Sequence, residues 1–223
     1  MNNNSVRNSA RLLGAGLRAL LVLTALCGVL YPLAVTGVAQ ALFHDKANGS
    51  EVSAHGRTVG SELIGQRYDL PLKKGQKTPE PDLRWFQPRP SNGLGENSVN
   101  TRYELLVSGA TNLSGDNKEL IDQVKAAKAA VIRDNSTPTH RLTPADVPPD
   151  AVTSSGSGLD PHISPAYASL QTHRVAARNH LSVRQVQHLI SANTDARTLG
   201  FMGEPRVNVL RLNIALSELT GRN

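Results

Sequence analysis

Cysteine and aromatic residues are scarce in this 223-residue chain. The single cysteine, Cys27, cannot form a disulfide within the chain or build a cysteine cluster for a metal ion. Aromatic side chains make up 4% of the sequence, too few for a surface on which nucleic-acid bases stack. These shortages exclude a disulfide-stapled scaffold and argue against a nucleic-acid-binding protein.

Acidic residues are missing from the N-terminal part of the chain. Residues 1–43 contain Arg7, Arg11 and Arg18 but no Asp or Glu. Residues 44–223 hold 21 basic and 18 acidic side chains, so this larger part is only mildly basic. A nearly balanced charge provides no strong field for a polyanion such as nucleic acid.

The motifs of well-known catalytic sites are also absent. The glycine-rich stretch SGSGLDPHISP, residues 155–165, brings Ser157, Asp160 and His162 together in sequence. It lacks the flanking glycines of a nucleophile elbow, and a proline stands where a dinucleotide-binding loop needs its third glycine. Asp160 and His162 are residue types that bind metal ions, but the spacing provides no third ligand. The chain has no P-loop, H-E-x-x-H or D-K-T-G motif either.

Local signals in the same stretch predict a turn followed by a helix. Gly156 and Gly158 supply backbone freedom, and Asp160-Pro161 favours a turn. Ser164-Pro165 is an N-cap followed by proline at the first helical position, so we expect a helix over 165–179. The stretch is therefore expected to form a structural corner rather than an active site.

Charged residues are absent from an apolar run over residues 19–43. A helix needs about 20 such residues to cross a bilayer, and only a helix satisfies the backbone hydrogen bonds of a single span. We therefore expect a transmembrane helix here, with a kink at Pro32 because proline lacks a backbone donor. Since the basic residues come first, the positive-inside rule places residues 1–18 in the cytoplasm and residues 44–223 outside the membrane.

A cleaved signal peptide is the alternative for this segment. Ala39-Gln40-Ala41 is similar to a cleavage site of small residues. The apolar core is longer than the about 7–15 residues of a signal-peptide core, which favours an uncleaved anchor. Both interpretations export residues 44–223.

The exported part combines short strand signals with helical periodicity. Val52 and Val59 flank a His55-Gly56-Arg57 turn, which predicts a small β region over 44–60. Asp116, with Glu119 three residues later, predicts a capping box and a helix. Residues 66–99 and 135–153 are rich in residues that favour loops.

The C-terminal third continues this pattern. Ser182 and Gln185 predict a second capping box, and the alternation over Pro205–Val209 predicts a strand. A final apolar stripe predicts a terminal helix. The expected fold class is therefore α+β, with one N-terminal transmembrane helix and a single domain of helices around a small sheet over 44–223.

Several stretches, taken in order, resemble one protein family. They are Tyr31-Pro32 in the apolar run, GSELIGQ at 60–66, Phe86 through Arg89-Pro90-Ser91, SGATNL at 108–113, SGLDP at 157–161 with Ile163-Ser164-Pro165, Arg174-Val175-Ala176, and GEPRVN at 203–208 through Leu212-Asn213. In this order and spacing they resemble KdpC, the C subunit of the high-affinity potassium-transporting Kdp ATPase. The resemblance extends over nearly the whole chain.

The resemblance implies a role in potassium import at the bacterial inner membrane. In that complex a channel-like A subunit selects the ion, a P-type B subunit hydrolyses ATP, and a small F subunit accompanies them. The C subunit aids assembly and acts as a catalytic chaperone that raises the ATP affinity of the B subunit. The resemblance thus implies a chain that is not itself an enzyme, with no firmly bound cofactor, although it leaves contact with the ATP of the complex open.

The shared motifs supply candidate residues for partner contact or for structure: Arg89, Ser91, Ser108, Asn112, Asp160, Glu204 and Asn208. Capping and salt bridging are the expected roles of Asp160 and Glu204, and facing entering cations is the alternative. The sequence departs from the family pattern at 69–85 and 114–118, where residue roles do not transfer. An anchored or secreted envelope hydrolase using Ser157, Asp160 or His162 is the alternative function, and a binding protein with a signal peptide is a third.

Overall fold

The computed structural model describes residues 3–76, 78–91, 95–96, 106–109 and 112–221. The chain divides into two compact units, residues 1–50 and residues 51–223. The limits of the cytoplasmic tail, the span and the exported domain stay predictions.

The first unit is dominated by a long apolar helical stretch. Helix α1 (Asn3–Ala25) and helix α2 (Tyr31–Leu42) are joined by a π-helical turn (Leu26–Leu30), and a short helix α3 (His44–Ala47) follows. The stretch is long and apolar enough to cross a bilayer, and its apolar window is not buried against the rest of the chain. This confirms the predicted apolar helix, and its exposed apolar surface fits a membrane anchor.

The π turn lies directly before Pro32. Proline has no backbone N–H, so the usual hydrogen bond from position 32 to the carbonyl of Gly28 cannot form. The N–H of Tyr31 bonds to the carbonyl of Leu26, five residues earlier, which is the π-helical pattern. At the place where the sequence predicts a kink, the structure thus has a widened turn.

The second unit begins with a β-hairpin. Strands β1 (Glu51–Ala54) and β2 (Arg57–Ser61) pair antiparallel. His55 and Gly56 both have positive φ, 52° and 74°, as a two-residue hairpin loop with the twist of its strands requires. The predicted β region over 44–60 and its turn are confirmed from Glu51 onward, and the prediction is wrong at His44–Ala47, which is helical. Farther along, strands β3 (Gly95–Glu96) and β4 (Leu106–Val107) also pair antiparallel.

Helix α4 (Lys118–Asn135) is capped by a different residue from the one predicted. The side-chain oxygen of Asn117 accepts hydrogen bonds from the N–H groups of Glu119, at 2.8 Å, and Leu120, at 3.3 Å. Asp116 instead accepts a hydrogen bond from the hydroxyl of Ser114. The predicted capping box at Asp116 is wrong because Asn117, an equally good cap, occupies the N-cap position.

Three helices form the C-terminal half: α5 (Pro165–Asn179), α6 (Val183–Ala192) and α7 (Val209–Thr220). The hydroxyl of Ser164 caps α5, as predicted. Ser182 and Gln185 form the predicted capping box at the start of α6. Helix α5 packs against both α4 and α6, which places it at the centre of the unit.

A small sheet lies among these helices. Strands β5 (His162–Ile163), β6 (Thr194–Asp195) and β7 (Arg206–Asn208) form an antiparallel sheet in the order β5-β7-β6. Val207 on the central strand lies opposite Ile163 on one side and Thr194 on the other. The expected α+β class and the predicted strand near Pro205 are thereby confirmed.

The hydrophobic core lies between the small sheet and the helices. Its buried side chains include Phe86 from an irregular segment, Ile163 and Val207 from the sheet, and Val175 and Leu212 from α5 and α7. The central strand, β7, is buried because helices cover it. This layering is typical of an α+β domain.

Candidate functional site

The stretch 155–165 forms a corner made of local hydrogen bonds. The Ser157 hydroxyl accepts the N–H of Leu159 at 3.1 Å, and the Ser155 hydroxyl accepts the N–H of Asp160 at 3.3 Å. One oxygen of Asp160 accepts the N–H of His162 at 2.9 Å. These Ser and Asp side chains therefore act as turn formers, as their short polar groups commonly do.

Glycine is required at one of the two glycine positions in this corner. Gly158 has φ +69°, and a Cβ there would lie 3.2 Å from the carbonyl oxygen of Gly109. Gly156 has no left-handed conformation, and a Cβ there would meet nothing within 4 Å. The expected need for backbone freedom holds at Gly158 and is wrong at Gly156.

Arg89 joins the corner to a distant part of the chain. Its guanidinium lies 3.1 Å from the second carboxylate oxygen of Asp160, and it donates to the carbonyls of Thr153 and Ser154, both at 3.3 Å. Both partners of the ion pair are partly buried, with side-chain exposures of 23% and 30%. Arg89 therefore holds the corner against the irregular segment to which Arg89 itself belongs.

Two further backbone contacts fasten the corner. The Ser91 hydroxyl donates to the carbonyl of Gly158. The N–H of Gly65 donates to the carbonyl of Leu159 at 2.7 Å. A Cβ at position 65 would lie only 2.7 Å from the carbonyl oxygen of Asp160, so this close approach requires glycine.

The end of the corner is held in part by Asp150, which the sequence did not single out. Asp150 accepts both the N–H of Ser164, at 2.7 Å, and its hydroxyl, at 2.9 Å. The carbonyl of Pro161 accepts the N–H of Val209 at 3.0 Å. The start of α5 and the start of α7 are thus tied to the same turn.

Side-chain amides hold the irregular segment that carries Arg89 and Ser91. Asn213 on α7 donates to the carbonyl of Phe86 and accepts its N–H, both at 2.9 Å. Gln171 on α5 does the same for Gln87, at 3.0 Å and 2.7 Å. Each amide replaces the pairing that a neighbouring strand would provide, which satisfies buried backbone groups of a segment outside any sheet.

Arg174 on α5 completes this support. It donates to the carbonyls of Leu83 and Trp85 and to the side-chain oxygens of Gln171 and Asn135. Burial lowers the pKa of Arg174 to about 10, so the guanidinium remains protonated near neutral pH. The buried charge is therefore stabilised by neutral oxygens that surround it rather than by a directly bonded carboxylate.

The structure brings most of the predicted site residues into one region. Asn208 lies opposite His162 in the sheet, caps α7, and donates to the carbonyl of Glu62 at 2.9 Å. Glu204 forms an ion pair with Arg197 at 2.8 Å and is highly exposed. Asp160 and Glu204 each form an ion pair, and their role towards partners or cations stays a prediction.

Ser108 and Asn112 are placed differently. Ser108 is exposed, and in the described part of the chain it makes no hydrogen bond to the other site residues. Asn112 has φ 53° and borders a cleft of about 370 Å³ together with Ser91 and Ser155. Gly109, the neighbour of Ser108, approaches the corner, because its carbonyl oxygen would lie 3.2 Å from a Cβ at position 158.

An open cleft of about 670 Å³ lies beside the corner. Its lining includes Arg89, Asp160, His162, Glu204 and Arg206. The acidic groups in this lining are already engaged by hydrogen bonds or ion pairs with neighbours on the chain. The cleft therefore has little free charge of either sign.

The arrangement does not assemble a hydrolase site. The ring of His162 lies 3.3 Å from Asp160, and in the described ranges it makes no hydrogen bond to a serine hydroxyl. A serine nucleophile requires a base within hydrogen-bonding reach. Among the residues that the structure describes, no three His, Cys, Asp or Glu side chains are grouped to hold a metal ion.

The matches to known proteins extend over the helix and the domain together. A family model described as "K+-transporting ATPase, c chain" (KdpC) matches residues 13–218. The chain belongs to the KdpC family. A potassium-transporting ATPase KdpC subunit from Streptomyces avermitilis is 72% identical over 97% of this chain and 98% of its own length.

KdpC subunits of lower identity match nearly as much of the chain. The one from Mycobacterium tuberculosis is 44% identical over 91% of this chain and 96% of its own length. The one from Kineococcus radiotolerans is 43% identical over 95% of this chain and 96% of its own length. The KdpC resemblance seen in the sequence is thereby confirmed.

Residues outside the expected site set also contribute to this KdpC fold. Asp150, Gln171 and Asn179 hold the corner and its supporting segment, and no spacing in the sequence points to them. Arg174 and Asn213 lie in stretches that resemble the family, which was the available signal for them. Their roles are structural, because they bond to backbone carbonyls or to other side chains within the core.

Proposed function

We propose that this chain is the membrane-anchored, non-catalytic accessory subunit of a potassium-transporting ATPase. The family match over residues 13–218 carries this proposal, because a single match includes both the apolar helix and the domain. The site geometry supports it as well. The family motifs interlock through Arg89, Asp160 and Gly65 into a shaped surface, and the reactive side chains are used as turn formers.

We further propose that the chain assembles with a channel-like A subunit, a P-type B subunit and a small F subunit. ATP hydrolysis is then the task of the B subunit, and this chain aids assembly and raises the ATP affinity of that subunit. The N-terminal arginines Arg7, Arg11 and Arg18 support an orientation with the N-terminus in the cytoplasm and residues 44–223 outside. The proposed location of the chain is the inner membrane.

This orientation constrains how the chain affects ATP binding. ATP lies on the cytoplasmic side, whereas the corner and its cleft belong to the exported domain. We therefore propose that the effect passes through contacts with the membrane subunits rather than through nucleotide bound to residues 44–223. Coupling between separated sites requires only that this domain favours one state of its partner.

Co-purification tests the assembly. The tagged full chain, expressed with the neighbouring transport genes, is expected to bring down a P-type ATPase and a multi-span subunit in mild detergent. Recovery of a secreted monomer that lacks residues 1–41 would contradict both the anchor and the assembly.

Photolabelling in sealed vesicles tests the indirect effect on ATP. An ATP analogue supplied only on the cytoplasmic side is expected to label the B subunit and leave residues 44–223 unlabelled. Labelling of residues 44–223 from that side would overturn the proposal.

A Ser157→Ala variant is expected to retain full transport, whereas loss of a hydrolytic activity in that variant would favour the envelope hydrolase.

A further inference from the structure

The loop between strands β6 and β7 presents apolar side chains to solvent. Leu199, Phe201 and Met202 are 79%, 71% and 50% exposed. They lie in the middle of the ten-residue connection between β6 and β7, residues 196–205. Clustered exposed apolar residues with a polar surround are typical of sites that bind another molecule. We call residues 198–202 the apolar tip.

The apolar tip has a defined backbone conformation. Thr198 and Met202 pair by two backbone hydrogen bonds, each 2.9 Å long. Leu199 has φ +55° and Gly200 has φ +82°. A leucine in the left-handed region is energetically unfavourable, and at this position its side chain gains no burial within the chain in return. Such an arrangement is explained if the side chain is buried in a complex.

The charges around the apolar tip neutralise one another. Arg197 pairs with Glu204 at 2.8 Å, and Asp195 lies 3.8 Å from Arg206. No lysine lies between residues 195 and 206. Surfaces that bind anionic lipid headgroups carry unpaired basic residues, so this tip is better matched to an uncharged apolar pocket of a protein.

The apolar tip also continues into the surface that contains the family motifs. Glu204 and Arg206, at its base, line the same cleft as Asp160 and His162. We propose that the apolar tip inserts into an uncharged apolar pocket on the exported side of another subunit of the ATPase. The cleft, with its paired charged side chains, forms the rim of that interface. This inference rests on the function proposed above and identifies the part of the domain that makes the contact.

Binding of tip variants to the ATPase tests this contact. The full chain is purified and added to the detergent-solubilised ATPase complex that lacks it, and the dissociation constant is measured. Phe201→Ser and Leu199→Gly are each expected to bind at least about tenfold more weakly, because buried anchor residues dominate interfaces. Leu72→Ser, which alters an exposed leucine in another loop, is the matched control and is expected to bind as the unaltered chain does.

Folding of the variants is measured separately. Glycine adopts φ +55° without strain, so Leu199→Gly is expected to melt at the same temperature as the unaltered chain or higher. A variant that melts normally and binds weakly supports a contact role. Equal binding of both tip variants and the unaltered chain would overturn the apolar tip proposal and leave the proposed function intact. Failure of the unaltered chain to bind the ATPase would overturn the proposed function.

A photoreactive phenylalanine analogue at position 201 identifies the occupant. In the assembled complex in native membranes, crosslinking to a membrane subunit of the ATPase is expected. Crosslinks only to lipid, crosslinks only to a second copy of this chain, or no crosslink at all would each overturn the proposal.

Discussion

Asn213 and Phe86 lie 127 residues apart, yet the side chain of one makes both backbone hydrogen bonds of the other, each 2.9 Å long. Phe86 is fully buried, so no water is available to replace these bonds. The pair fixes the segment that ends in Arg89 and Ser91. The corner at 155–161 is consequently positioned by an amide on the last helix.

Removing this amide is expected to destabilise the domain. Asn213→Ala leaves a buried N–H and a buried carbonyl without partners, which costs about 2–4 kcal/mol of unfolding free energy. Urea unfolding of the full chain in detergent measures the change. Gln123→Ala, which removes an exposed amide that bonds only to Glu119, is the control and is expected to change stability by less than about 0.5 kcal/mol. An equal effect of the two substitutions would contradict the role given to Asn213.

Two glycines near the corner are expected to respond oppositely to alanine. In Gly65→Ala the new Cβ meets the carbonyl oxygen of Asp160 at 2.7 Å, so the backbone must move, at a cost of about 1–3 kcal/mol. Gly156→Ala has open space and is expected to be neutral or slightly stabilising. Thermal unfolding of both variants provides the comparison. A stable Gly65→Ala variant would show that the backbones of Gly65 and Asp160 are not in close contact.

The ion pair between Arg89 and Asp160 is expected to make a measurable but modest contribution. Because both side chains are less than one-third exposed, a double-mutant cycle with Arg89→Ala and Asp160→Asn should give a coupling energy of about 1 kcal/mol. The coupling should shrink in 1 M salt. The exposed pair Lys73 and Glu80 is the control and should show a coupling near zero. Equal coupling in both pairs would argue against a fixed Arg89.

Acid is expected to weaken the contact between His140 and His173. Their rings stack with centroids 3.9 Å apart, near Arg141 and Asp146 in a shared pocket. Partial burial, and then the charge of His140, lower the pKa of His173 below its usual 6.5. The unfolded chain then binds the proton more tightly, so stability present above pH 6.5 is lost as pH falls through the lowered pKa.

NMR titration of the histidine rings measures this effect. In His140→Ala the pKa of His173 is expected to rise towards 6.5, because one of the two causes of its shift is removed. In His173→Gln the acid-dependent loss of stability should be smaller than in the unaltered chain. An unchanged pKa of His173 in the His140→Ala variant would rule out the electrostatic effect of the stack.

Features that depend on neighbouring residues were predictable from the sequence. Ser164 and the pair Ser182 and Gln185 cap their helices through bonds that span three residues, so the pattern alone identifies them. The cap of α4 was missed by one position because Asp116 and Asn117 are both suitable caps. The family itself was predictable because its motifs are ordered along the whole chain.

Features that depend on distant residues were not predictable. The bonds from Gln171 to Gln87 and from Arg89 to Asp160 join positions 84 and 71 residues apart. Periodicity and spacing do not determine such pairs. The sequence pattern shows where helices lie along the chain, but the pairs arise from how those helices pack together. The stacking of His140 on His173 and the hydrogen bonds from Ser164 to Asp150 were not predictable for the same reason.

The π turn over Leu26–Leu30 changes how the two halves of the anchor are oriented. A π turn accommodates roughly one more residue than an α turn, which rotates all later side chains by about 100° about the helix axis. Residues that an uninterrupted helix would align on one side, such as Leu20 and Val38, consequently point in different directions. A partner that packed along one side of α1 would therefore not continue along the same side of α2.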